Sequence, residues 1–222
     1  MRLTLTHRLL LITAFSLILM SFSYEIGRKN RPSTKIYKGY VITESGEKIH
    51  GKLQMLSPAM NQVKVKFIDK DGKKSTYKAK DIASYAFQIQ EWDKIEKKNI
   101  IKWIHYTKKT VERPPVPFAS TSVLLQREVN GAISIYNYYI ETRASQNMEH
   151  FTYLEKDGVL YTLKKNNYRK ILKTLTADFP VVYHKIGTKG YTYKHVPKLI
   201  SEYNKQVSKK GEATISFDEV EE

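Results

Sequence analysis

The sequence predicts a mostly-β protein of the α+β class, with small twisted antiparallel sheets or an SH3-like barrel followed by a β-hairpin sheet and two C-terminal amphipathic helices. Three observations support this prediction. Short runs alternate apolar and charged residues with a period of two, turn pairs such as Asp71-Gly72 separate the runs, and a helical period replaces the alternation near the C-terminus. The predicted domains are residues 35–112 and 119–207, joined by a Pro-rich connector at 113–118. A rigid loop within one domain is the alternative for this connector.

Residues 1–23 have the order of a secretory signal peptide, with a basic end, an apolar middle and a small-residue exit. Cleavage is predicted between Ser23 and Tyr24. An uncleaved membrane anchor is the alternative, but the apolar stretch is about 12 to 15 residues long and a span needs roughly 20. No cysteine lies at the exit, so the lipoprotein route is closed. We therefore expect an exported protein, periplasmic or extracellular, with a flexible lead-in at residues 24–34.

Strand signals begin directly after the lead-in and alternate with short turns. Val63, Val65 and Phe67 alternate with lysines, as in a strand with one buried and one solvated face. Residues 91–109 are ambiguous, because Ile100, Trp103 and Ile104 have the spacing of a helix face. Ile101, Trp103 and His105 fit a strand face about as well, and the strand is favoured. The other predicted strands of this half are Lys35–Thr43, Ile49–Met55, Lys73–Lys78 and Ala83–Gln90.

The second half has two strong hairpin signals, Asn130-Gly131 and Asp157-Gly158. Asn166 or Asn167 is suited to cap the helix that follows, and residues 208–222 are expected to form a disordered acidic tail. The strands predicted around the turns are Thr121–Val129, Ala132–Glu141, Glu149–Glu155 and Val159–Leu163. The apolar stripes of the two helices are Tyr168, Ile171, Leu172 and Leu175 in the first, and Val196, Leu199, Ile200 and Tyr203 in the second.

The chain is strongly basic, with a formal net charge of +16 that falls to about +14 without the two arginines of the signal segment. Such a charge favours anionic partners. Most of the basic residues are lysines spread along the chain, whereas bidentate phosphate recognition prefers arginine. A solvated lysine surface without a specific ligand is the favoured interpretation of this charge. As partners, the charge suggests an anionic glycan, lipopolysaccharide or another envelope protein and allows peripheral membrane contact; no specific nucleic acid is predicted.

Six lysines and two tyrosines around one predicted hairpin form the candidate binding surface. The hairpin turns at Asp71-Gly72, so several of these lysines share one face. Rings beside basic groups suit single-stranded nucleic acid or glycans. A solvated strand face whose lysines prevent edge-to-edge aggregation is the favoured interpretation, and a binding surface is the alternative. The candidate residues are Lys64, Lys66, Lys73, Lys74, Lys78, Lys80, Tyr77 and Tyr85.

No motif for catalysis stands out. The sequence has no cysteine, which excludes thiol catalysis, cysteine-ligated zinc and iron–sulfur chemistry. The histidines after residue 23 have none of the short spacings of metal ligands, and no cofactor is predicted. Glu149, Glu155 and Asp81 are the carboxylates that a glycosidase could use, but pairing with the many lysines is the favoured role.

A series of turns and strand alternations resembles a group of small exported proteins of unknown function from Bacteroidetes-type bacteria. The resemblance implies an envelope or secreted location and carries over no catalytic residue. We expect a non-enzymatic exported protein that binds an anionic partner through a basic β face. The alternatives are a hydrolase of glycans or peptides with a scattered site, and a structural or adhesion component of the cell surface. The segments that carry the resemblance are Lys38–Ile42, Gly46–Leu53, Val65–Lys73, Tyr77–Ile82, Tyr153–Gly158, Tyr168–Lys170 and Tyr203-Asn204.

Overall fold

The computed structural model describes residues 35–93, 96–112, 121–141 and 148–218. The predicted signal peptide with its cleavage site at Ser23 and Tyr24, the lead-in and the connector at 113–118 lie outside these residues.

The ten strands of the described residues form one antiparallel sheet, in the order β10-β9-β8-β7-β6-β5-β1-β2-β3-β4, and the strand pairing among these residues does not close the sheet. The mostly-β prediction is confirmed. The strands are β1 (Lys35–Thr43), β2 (Lys48–Met55), β3 (Lys64–Ile68), β4 (Lys74–Lys78), β5 (Ile82–Asp93), β6 (Lys98–Thr110), β7 (Ser122–Val129), β8 (Ile133–Glu141), β9 (Met148–Lys156) and β10 (Val159–Leu163).

Strand β6 joins the two halves that the sequence analysis treats as separate sheets. Its residues from Lys98 to Thr107 pair with β5, and its residues from His105 to Thr110 also pair with β7. The prediction of two separate sheets is therefore wrong within the described residues. The pairing of β6 with β7, which begins at Ser122, continues the sheet across the predicted boundary at 113–118.

The sheet curls around a core on its inner face. Val65 and Phe67 on β3 pack in the same cluster as Leu124 on β7. Two glycines opposite each other, Gly39 on β1 and Gly51 on β2, allow the close approach of the strands. A Cβ atom at Gly39 would lie 2.2 Å from the carbonyl oxygen of Ala86, and one at Gly51 would lie 2.5 Å from the Phe67 ring.

In the part of the chain that the structure describes, four helices accompany the sheet: α1 (Pro58–Asn61), α2 (Tyr168–Leu175), α3 (Pro180–Tyr183) and α4 (Val196–Asp218), with a 3-10 turn at Tyr193–His195. The two predicted apolar stripes lie on α2 and α4 and pack against Ile133, Ile135 and Leu154 of β8 and β9. Helix α4 continues through residues 208–218, where the sequence analysis expects disorder.

Asn167 is the N-cap residue of α2, but its side chain does not cap the helix. Its Oδ1 accepts a hydrogen bond from the Lys164 N–H at 2.7 Å, and its Nδ2 donates to the Thr162 carbonyl at 3.0 Å. The side chain therefore fixes the turn between β10 and the helix.

Candidate functional site

The predicted lysine hairpin is strands β3 and β4. Lys64 lies directly opposite Lys78, and Lys66 and Lys74 point to the same side of the pair because they occupy alternate positions. This side is the outer face of the curled sheet, opposite the core. Lys73 and Lys80 lie in the turns before and after β4. Four of the six predicted lysines therefore share one strand face.

The two predicted tyrosines lie on the opposite side from these lysines. Tyr77 pairs opposite Val65 and contacts the Phe67 ring at a centroid distance of 6.0 Å, on the inner face. Tyr85 is fully buried, and its hydroxyl donates to the Asn61 carbonyl at 3.0 Å. Burial also raises the pKa of Tyr85 well above its usual value. The prediction that these rings accompany the lysines at the surface is wrong, because strand alternation turns them into the core.

The lysine surface is larger than the hairpin. The pairing register places Lys38 of β1 opposite Lys52 of β2, and Lys52 opposite Ile68 of β3, which faces Lys74. The outward strand positions of β1 to β4 include no aspartate or glutamate. We call this surface the basic face, and its lysines are Lys38, Lys48, Lys52, Lys64, Lys66, Lys74 and Lys78.

None of the lysines of the basic face forms an ion pair with a carboxylate of the described residues. Two acids in the turns before and after β4 bind backbone groups. The Asp69 carboxylate accepts the Lys73 N–H at 2.9 Å, and the Asp81 carboxylate accepts the Lys78 N–H at 2.9 Å. The positive charge of this face is therefore available to an external anion.

Four rings on the same outer surface form a connected row, which we call the aromatic cluster: His50, Tyr40, Trp103 and His105. Successive ring centroids in this order are 5.7, 5.5 and 6.3 Å apart. Tyr40 and Trp103 lie on either side of β5, where the small side chain of Ala86 is opposite Tyr40. Ala86 is fully buried, so the two rings meet above it.

The basic face and the aromatic cluster are adjacent. The Lys48 ammonium lies 4.0 Å from the centroid of the Tyr40 ring, a cation–π distance. Partial burial, followed by the charges of Arg127 and Lys48, lowers the pKa of His105. The lowered pKa disfavours the protonated, positively charged form of the His105 ring.

The aromatic cluster is the part of the site that sequence reasoning missed. Tyr40, His50 and Trp103 are far apart in the chain, and the pairing of β1 with β5 brings them together. One signal was present: alternation places Ile101, Trp103 and His105 on a single strand face, with apolar and aromatic groups where a surface strand usually has polar ones.

The carboxylates considered for hydrolysis do not converge. Glu155 forms an ion pair with Lys109, Asp81 stabilises a turn, and Glu149 is exposed at the far end of β9. In the described part of the chain, no group of three or more histidine, aspartate or glutamate side chains could hold a metal ion.

A cavity of about 560 Å³ opens where β3 and β4 approach β7 and β8. Lys64 and Lys78 of the basic face lie at its rim. Its walls are mostly apolar and include Val63, Ala79, Val123 and Tyr138.

The arrangement defines a class of site, an exposed sheet surface that combines uncompensated lysines with a row of rings. The sequence matches no protein-family model, and no curated protein or solved structure matches the chain. Across the ranges described, no helix has both the length and the apolar character needed to cross a membrane.

Proposed function

We propose that this chain is an exported, non-enzymatic protein that binds a polyanion of the cell envelope through the basic face. The observation that carries the proposal is the set of seven outward lysines on four adjacent strands with no acid between them. Like charges on neighbouring strands repel one another, and a bound polyanion removes this repulsion. The predicted signal peptide supports the exported location.

The physical properties of the face suit a flexible, highly charged ligand. Lysine is a point charge on a long flexible stem, so it follows an anion of variable geometry better than it fixes one planar group. The side chains are mostly exposed, so salt should screen each contact strongly. Binding should therefore be tight at low salt and should weaken steeply as the salt concentration rises.

The test compares two triple variants that remove the same charge from different surfaces. Lys38→Gln, Lys52→Gln and Lys74→Gln together remove an exposed row from the basic face. Lys165→Gln, Lys170→Gln and Lys205→Gln remove exposed lysines near or on α2 and α4. The probes are heparin and inorganic polyphosphate, titrated at several salt concentrations.

The first variant should bind both probes about a hundredfold more weakly, because each surface contact contributes roughly 1 kcal/mol. Its salt dependence should also be shallower. The second variant should lose much less affinity. Equal losses in the two variants would show that only the net charge matters, and the proposal would fail.

A further inference from the structure

We infer that the aromatic cluster is a subsite for a sugar ring, so that the polyanion bound by this protein is an acidic polysaccharide. This inference rests on the proposed function and names its ligand class. It depends on a separate observation, the position of exposed rings beside the lysines.

The rings of the cluster are accessible although they pack against one another. Trp103 is 38% exposed, and it belongs to none of the described core clusters. Exposed aromatic groups that are contiguous on a surface mark interaction sites. The rings are therefore placed for a ligand, and removing one should leave the core intact.

The ring angles favour a sugar over a nucleic acid base. The Tyr40 and Trp103 planes are tilted by 47°, and the Tyr40 and His50 planes by 57°. Such tilted rings offer a shallow, uneven surface onto which the C–H groups of a puckered sugar ring pack. Flat bases prefer parallel ring faces, and phosphate backbones prefer the bidentate fork of arginine. The basic face of this protein has lysines instead.

Lysine ammonium groups lie within reach of a sugar that packs on the aromatic cluster. Lys38 and Lys52 are two residues from Tyr40 and His50 on the same strand faces, a separation of about 7 Å. Lys48 lies directly over the Tyr40 ring. A sugar that packs on the cluster can therefore place a carboxylate or sulfate group against these ammonium groups. A polyanion without sugar rings, such as polyphosphate, would contact the lysines but would not pack on the aromatic cluster.

The experiment uses the two tryptophans of the chain as a matched pair. Trp103→Ala removes a ring of the cluster. Trp92→Ala removes a 56%-exposed tryptophan at the far end of β5, about 20 Å from Ala86 along the strand. Each variant is titrated with heparin, inorganic polyphosphate and oligothymidylate. In the Trp92→Ala variant the tryptophan fluorescence comes from Trp103 alone.

Trp103→Ala should weaken heparin binding about tenfold and leave polyphosphate binding within twofold. Trp92→Ala should change neither. In the Trp92→Ala protein, heparin should shift the Trp103 fluorescence and polyphosphate should not. An equal loss for both polyanions, or no loss, would overturn the sugar subsite, and a larger loss for oligothymidylate would reassign it to bases. The lysine triple variant distinguishes a failure of the sugar subsite from a failure of the proposed function. Polyphosphate has no sugar ring, so the effect of that variant on polyphosphate binding tests the lysines and does not depend on the aromatic cluster.

Discussion

At the scale of single residues, Gln62 connects the segment between β2 and β3 to strands β7 and β8. It follows α1 and is almost fully buried. Its side-chain Nε2 donates to the Tyr139 carbonyl at 2.8 Å, its Oε1 accepts from the Tyr139 N–H, and its own carbonyl accepts from the Leu124 N–H at 2.9 Å. Gln62 thus occupies the place of a strand residue between β7 and β8, where these strands diverge.

Gln62→Leu should therefore destabilise the fold by about 2 to 4 kcal/mol, because it leaves the N–H and the carbonyl of Tyr139 without partners. Urea unfolding measures this change. Gln90→Leu, at an exposed strand position, is the matched control and should stay within about 0.5 kcal/mol. A loss in Gln62→Leu no larger than in the control would contradict the role assigned to Gln62.

Sequence reasoning could not find Gln62. Its hydrogen-bond partner Tyr139 is 77 residues away, and the local sequence around Ser57-Pro58 indicates only the end of a strand. A buried polar side chain is recognised by its partners, and those become known with the tertiary fold.

At the scale of elements, most strands begin and end within one or two residues of the predicted bounds. Turn chemistry explains this agreement. Asp157 and Gly158 both have positive φ angles, 52° and 79°, as the predicted hairpin turn requires. Strand order was not predicted, because no local signal specifies that β1 pairs with β5 as well as with β2. The aromatic cluster depends on that pairing and was missed for the same reason.

An ion pair between elements makes the C-terminal region sensitive to acid. Glu202 of α4 accepts hydrogen bonds from Lys185 at 2.8 Å and from Tyr191 at 2.9 Å, both in the loop after α3. The bond from Lys185, more than any other contact, lowers the pKa of Glu202 below its usual value. A lowered pKa means that the folded state favours the ionised carboxylate, so this stabilisation is present above about pH 4.3 and is lost as the pH falls through the folded pKa.

Glu202→Gln should therefore flatten the acid limb of the stability curve. Between pH 5 and pH 3, the urea midpoint of the wild type should fall more steeply than that of the variant. Glu149→Gln, at an exposed site, should follow the wild type. Parallel curves for Glu202→Gln and the wild type would show that the ion pair contributes nothing.

At the scale of the whole molecule, the sequence predicts a basic β-rich protein, and the structure shows where part of the charge is concentrated. The lysines spread along the chain look uniform in sequence. Antiparallel pairing brings those of β1 to β4 onto one acid-free surface, whereas Lys108, Lys109 and Lys185 form ion pairs with glutamates. Glutamates therefore neutralise some lysines of this chain, whose net charge is +16, while the lysines of the basic face have no carboxylate partner among the described residues.

The most direct test of the central claim is a lysine-acetylation footprint of the wild-type protein with and without heparin, resolved by mass spectrometry. Binding at the basic face predicts strong protection of Lys38, Lys52 and Lys74, which lie in one exposed row. Equally exposed lysines elsewhere, at Lys170 and Lys205, should keep their reactivity. Uniform protection of all exposed lysines, or protection confined to the helices, would contradict the account.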